Sequence, residues 1–258
     1  AALAAAGLFL ASRVGLGMPF IEGWTKREPV WNRLAGVAGA AVLAGILLPL
    51  ILLLDSALTP LLEKASNTPA PTTVVHPPAW QGFLAAFSAG ITEETLFRLF
   101  GLILVVWLGS LVFRSRTGRP APGLLWAANI LFALAFGPVH LRTASQLGIT
   151  LTPLLVIRTL VINGAGGLLF GWLYVTFGLE SAILAHIAAD VVVHGFVPLV
   201  TQQADPARTI VATVVVLLLT LLAIVWSVRA ILRDCRQLQT AVEPGESQIE
   251  VRFSHPAG

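Results

Sequence analysis

The stretch that decides the fold is SAGITEETLFRLFGLILVVW, Ser88 to Trp107. It is an apolar run of membrane-spanning length that carries two glutamates and an arginine, Glu93, Glu94 and Arg98. A charge at the centre of a membrane helix costs roughly 2.5–3.5 kcal/mol on the insertion scale. Three charges are therefore tolerable only if they face protein or a wet cavity and find partners there. Glu94 and Arg98 are four apart, so they stand on one helix face and pair. Glu93 points about 100° away. It is a second carboxylate, aimed at something else.

The rest of the chain supports a membrane setting. Its 258 residues are 56% hydrophobic and only 11% charged, with a mean hydropathy of +0.85. A soluble domain carries roughly 25% charged residues. The net charge of +3 is spread between apolar segments, which excludes a nucleic-acid-binding stripe and points instead to topology signals. The single cysteine, Cys235, excludes an internal disulfide; it reads as a free reduced thiol. The opening AALAAAGLFLAS lacks a basic leader and reads as the remnant of a first membrane helix.

A spanning helix needs about 20 apolar residues. Seven segments qualify: 1–20, 34–62, 80–113, 121–138, 152–177, 180–200 and 208–232. The expected fold is all-α, a polytopic membrane helix bundle with a polar intramembrane cavity. One transmembrane domain covers 1–233 and a polar tail, containing the strand-like QIEVRF, covers 234–258. Nine basic residues (Lys26, Arg27, Arg33, Arg114, Arg116, Arg119, Arg229, Arg233, Arg236) lie on one set of loops. Three (Lys64, Arg142, Arg208) lie on the alternate set. The basic side is cytoplasmic, which puts the C-terminus inside. Tryptophans 80, 107, 126, 172 and 226 fall near segment ends, as an interfacial belt does.

Two further segments bring ionisable groups to lipid depth. FGPVH, Phe136 to His140, ends the fourth segment; Pro138 is placed to kink that helix just before the histidine. HIAAD, in the sixth, sets His186 and Asp190 on one face. His194 extends that spacing but drifts about 80° from His186, which suits a pore-lining or interfacial role. A lone buried histidine is ordinarily a packing residue. Three ionisable clusters on three helices point to one shared functional cavity.

Glu93-Glu94-x-x-x-Arg98, Phe136-x-x-x-His140 and His186-x-x-x-Asp190, in that order on separate helices, resemble the CAAX protease and bacteriocin-processing family, which includes the type II CAAX prenyl endopeptidases. The run GGLLFGWLYVTFGLESAILAHIAAD, Gly166 to Asp190, has the family's glycine-rich helix, short turn and histidine helix. The resemblance covers about residues 80–200. It implies an intramembrane glutamate endopeptidase, in the bacterial inner membrane, acting on a membrane-associated or lipidated peptide or protein. Glu93 is then the general base, His140 holds and polarises the water, and His186 with Asp190 stabilises the oxyanion. Glu94 and Arg98 support them. Asp190 stands where the family often has Asn; as an ionised group it would orient His186 and hold it as an imidazolium donor.

The resemblance implies no cofactor. Glu93, His140, His186 and Asp190 are nonetheless a possible zinc donor set, without an HExxH helix. A non-cleaving immunity or scaffold protein and an ion- or proton-coupled transporter are the alternative functions. Arg158 snorkels to the outer interface or binds an acidic terminus. Glycines 164, 166, 167 and 171 allow close helix packing rather than forming a nucleotide loop. Depth poses a question. His140 falls near one end of its segment and His186 near the opposite end of its own, so either the turn at 177–180 is embedded or the 121–138 helix starts late.

Overall fold

A computed structural model describes residues 1–30, 34, 37–39, 41–51, 64, 78–113, 119–146 and 148–196, and residues 214, 218, 221, 222, 225 and 229 beyond them. The 208–232 segment (those six positions apart), the 234–258 tail and Cys235 lie outside the described residues. The described elements are helical: α1 (Ala2–Val14), α2 (Pro19–Thr25), α3 (Val37–Ile51), α4 (Ala79–Glu94), α5 (Ile103–Val112), α6 (Pro122–Gln146), α7 (Pro153–Phe177) and α8 (Leu179–Asp190).

Among the described residues four helices are long and apolar enough to cross a membrane: Trp80–Val112, Pro122–Gln146, Pro153–Phe177 and Leu179–Phe196, or five if the bent pair α1–α2 counts as one. The expected count of seven is not reached among the described residues. The 1–20 segment is not a straight helix. It breaks at Gly15, whose φ of 72° ends α1 in a left-handed cap. Pro19 then starts α2 at N1, where its missing N–H costs nothing. The two helices meet at 89°. The 121–138 segment also differs, because α6 runs on to Gln146 with Pro138 inside it. A proline removes one backbone bond, and neighbours in a bundle re-satisfy the freed carbonyl. His140 therefore lies within a helix and not at its end.

Two π-helical turns interrupt the ladder, Thr95–Leu102 between α4 and α5, and Val191–Phe196 after α8. Wider turns re-aim side chains, and they recur at functional positions. Both lie beside the ionisable residues.

The core joins α1, α3, α5, α7 and α8 through Leu10, Leu48, Leu102, Val106, Leu173 and Leu179. Glycines let the helices close. A Cβ on Gly167 would sit 2.9 Å from the Ala133 Cα, and one on Gly171 would run into the Asn129 amide. This is the packing role expected of the glycine-rich run, and it seats α7 on α6.

The α7–α8 turn is one residue, Gly178, at φ 101°. The α1–α2 elbow is pinned beneath it. Leu179 N–H donates to the Gly17 carbonyl at 3.1 Å. The Glu180 carboxylate accepts the Phe20 and Ile21 N–H groups at 3.2 and 3.1 Å, capping α2 from another helix. At 1.5 Å per residue, Glu94 lies about 27 Å from the end of α5 and His186 about 10 Å from the start of α8. Those two residues are hydrogen-bonded. Along straight axes the turn is thus recessed by about 16 Å. An embedded turn answers the question of depth, and the elbow fills the space below it.

Gly178→Ala is expected to destabilise the fold by about 1–3 kcal/mol, since the left-handed φ is strained for alanine. Its Cβ would also meet the Pro19 ring. Gly123→Ala, with nothing within 4 Å of the new methyl, is the control. Thermal unfolding in detergent should show a lower Tm for the first variant and no loss for the second.

Candidate active site

Arg98 is the most demanding side chain in the interior, 1% exposed in a helix of membrane length. Its Nη1 lies 3.2 Å from Glu94 Oε1. Its Nη2 donates to the Gly167 carbonyl of α7 at 3.1 Å. The guanidinium is flanked by three rings, with centroids at 4.6 Å for Phe136, 5.6 Å for Phe170 and 5.8 Å for Phe97. Arginine suits this place because its delocalised charge is weakly hydrated and is attracted to aromatic faces. The Glu94–Arg98 pair expected from the spacing is present.

Glu94 also does something the spacing does not reveal. The same Oε1 accepts the Nδ1–H of His186 at 2.8 Å. One carboxylate oxygen therefore joins α4 to α8 and holds the imidazole by its Nδ1. The ring is fixed from both sides, stacked on Phe170 at 4.7 Å and 11° and edge-on to Phe136 at 5.9 Å. The residue that orients His186 through Nδ1 is thus Glu94, where the sequence pattern suggested Asp190.

His186 Nε2 points to the other two acids. Asp190 Oδ2 is 3.5 Å away and Glu93 Oε2 is 4.0 Å away. Both exceed the usual hydrogen-bond range of 2.7–3.2 Å, so this nitrogen is committed to neither. Glu93 Oε2 is itself buried without a hydrogen-bond partner. Gaps of this size between polar atoms are those a bridging water fits.

His140 approaches from α6. Its Nδ1 lies 2.9 Å from the Phe136 carbonyl. A carbonyl only accepts, so Nδ1 carries the hydrogen and Nε2 keeps its lone pair. The ring packs 4.8 Å from Phe136. Phe136 is thereby the common neighbour of His140, His186 and Arg98.

The structure brings Glu93, Glu94, Arg98, His186 and Asp190 into one cluster by direct distance, and sets His140 beside it through their shared neighbour Phe136. His194 lies 4.0 Å from Asp190 Oδ1, one turn beyond it. Sequence reasoning missed Phe170 and the Gly167 carbonyl, which hold His186 and Arg98; neither has a local signal, because both act across helices. Among the described residues no group of three His, Cys, Asp or Glu side chains is arranged to hold a metal ion. Asn163 donates to the Thr159 carbonyl within α7, and takes no part in the cluster.

Residues 75–192 match the family model described as type II CAAX prenyl endopeptidase Rce1-like. Over this segment, a little under half of the chain, the sequence is similar to the Rce1-like family. The match takes in the three motif-bearing stretches, from Glu93 to Asp190, and stops short of His194. The membrane-length helices and the similarity to a CAAX-type membrane protease family both support an integral membrane protein. No curated protein and no solved structure matches the chain.

Arg98→Met should be strongly destabilising, by about 3–5 kcal/mol, because it leaves the Glu94 carboxylate buried with half its compensation gone. Glu94→Gln combined with Arg98→Met should recover part of that loss. Thermal unfolding of both variants in the same detergent checks the sign.

Proposed function

We propose that the cluster hydrolyses a peptide bond of a membrane-associated or lipidated peptide or protein, by a water that Glu93 activates without a metal. The observation that carries this is the pairing of two uncommitted polar atoms, Glu93 Oε2 and His186 Nε2, 4.0 Å apart. They sit beside the Glu94–Arg98 pair, whose Glu94 Oε1 holds His186 by its Nδ1.

Glu93 takes a proton from water as the water oxygen attacks the scissile carbonyl carbon. The carbonyl electron pair moves onto its oxygen. His140 Nε2 accepts a hydrogen bond from the same water and holds it. His186, with a proton on each nitrogen, keeps Nδ1–H on Glu94 and turns Nε2–H to the oxyanion. Asp190 and Glu93 surround that imidazolium, so Asp190 serves to balance its charge and not to touch the oxyanion. When the tetrahedral intermediate collapses, the C–N bond breaks and the amine nitrogen takes the proton that Glu93 holds. Glu94 and Arg98 position His186. Membrane lipid is the surrounding partner, and the resident membrane is proposed to be the bacterial cytoplasmic one.

Glu93→Gln should reduce peptide cleavage by about 10²–10⁴-fold, the range for loss of a general base, with unchanged thermal stability. His140→Ala should do the same. Retained full activity in Glu93→Gln contradicts the mechanism. Prolonged chelation should leave cleavage intact; lasting loss restored by zinc would assign the four site residues to a metal instead. Substrate flux without a peptide product would favour the transporter reading.

A further inference from the structure

A second polar feature lies apart from the ionisable cluster, between α6 and α7. The two helices leave a cavity of about 120 Å³, lined by Leu125, Trp126 and Asn129 of α6 and by Trp172, Val175 and Thr176 of α7. Trp126, Trp172 and Thr176 are exposed, while Asn129 is only 3% exposed. The Asn129 Nδ2 donates to the Leu168 carbonyl at 3.1 Å, and a Cβ on Gly171 would run into its Oδ1. An amide nitrogen carries two N–H bonds, and Leu168 takes one. The second N–H and the Thr176 hydroxyl are donors in a lining that is otherwise aromatic and aliphatic.

The cavity has a definite depth. Both α6 and α7 have 25 residues, about 37 Å of helix, against a hydrocarbon core of about 30 Å. Their end turns therefore reach the headgroup region. Trp126 lies about 6 Å and Asn129 about 10 Å from the start of α6; Thr176 lies about 1.5 Å and Trp172 about 7.5 Å from the end of α7. The Asn129–Leu168 bond sets those two ends at one level. The cavity thus runs from the headgroup region to the upper part of the lipid chains, where ester groups lie and where tryptophans gather. Arg119, three residues before Pro122, is exposed at the same end.

Size and donors narrow the occupant. Sites for drug-sized soluble ligands run to about 300–1,000 Å³, and a cavity of about 150 Å³ takes one benzene ring. A space of about 120 Å³ takes a short length of alkyl chain. A bare chain would leave the Asn129 and Thr176 donors unmatched, and an ester carbonyl at its head accepts from them. Arg119 suits a phosphate. We propose that this cavity seats one anionic glycerophospholipid, with a chain beside Trp126 and Trp172, an ester carbonyl on Thr176 and Asn129, and the phosphate at Arg119. The site adjoins the ionisable cluster through neighbouring carbonyls of α7, since Arg98 donates to Gly167 and Asn129 to Leu168. It uses none of the cluster's side chains and stands apart from the protease reading.

The test is native mass spectrometry of the full chain released from detergent, with dioleoylphosphatidylglycerol or dioleoylphosphatidylcholine titrated in. The expected result is one tightly retained phosphatidylglycerol per chain, held in preference to phosphatidylcholine. Arg119→Gln should weaken phosphatidylglycerol about fivefold, the effect of one cation near an anionic headgroup, and remove the preference. Thr176→Phe, whose ring obstructs the cavity, should abolish retention of both lipids. If that variant fails to accumulate, Thr176→Val keeps the shape, removes the hydroxyl, and should weaken retention about 2–10-fold. Leu134→Ala, at a 69% exposed position of α6 outside the cavity, should change nothing. Phosphatidylglycerol should also raise the Tm of the wild type and not that of Thr176→Phe, because a ligand of the folded state stabilises it. Equal retention of the two lipids by the wild type, retention indifferent to the Thr176 variants, or displacement by excess inorganic phosphate each overturns the proposal. No readout requires cleavage, so an inactive protein still decides it.

Discussion

One carboxylate oxygen, Glu94 Oε1, holds this site together. It receives Arg98 from its own helix at 3.2 Å and His186 from α8 at 2.8 Å. Arg98 also donates to the Gly167 carbonyl and meets three aromatic faces, and His186 has Asp190 and Glu93 beyond its Nε2. Buried ion pairs add little net stability once desolvation is counted. What this arrangement supplies is position. It fixes the depth of α8 against α4 at the site, together with the close approaches of Gly90 to Ile187 and of Gly82 to the His194 carbonyl.

The constraint propagates to the fold. Because His186 must reach Glu94 soon after α8 begins, the α7–α8 turn cannot lie at the level of the α5 end. It is a single glycine set inside the bundle, and the broken α1–α2 segment closes the gap. Glu180 supplies the carboxylate that an isolated seven-residue helix needs at its N-terminus.

Much of this was legible in the sequence. The spacing of Glu94 and Arg98 and of His186 and Asp190 predicts shared faces, and the cost of charge in lipid predicts one cavity. Four of the seven expected spans appear among the described residues, and the 121–138 segment differs in its end, since α6 carries Pro138 inside it and runs on to Gln146. The elbow at Gly15–Pro19 was missed because hydropathy is blind to direction; both halves are apolar, and only a left-handed glycine and a proline mark the corner. The link from Glu94 to His186 was missed for another reason. Periodicity reports neighbours on one helix, while this hydrogen bond, the Phe170 stack and the Gly167 carbonyl all cross between helices. The π turns at Thr95–Leu102 and Val191–Phe196 leave no pattern in residue type, yet they set where Arg98 and His194 point.

The central claim is the direct hydrogen bond from His186 Nδ1 to Glu94. Solid-state NMR of the protein in lipid, with ¹⁵N-histidine and ¹³C-glutamate, measures it by dipolar coupling, His186 being assigned through His186→Gln. The account predicts a coupling between His186 Nδ1 and one glutamate carboxyl, at a distance of direct hydrogen bonding, that disappears in Glu94→Ala. A His186 Nδ1 with no glutamate coupling, or one that survives Glu94→Ala unchanged, would contradict it.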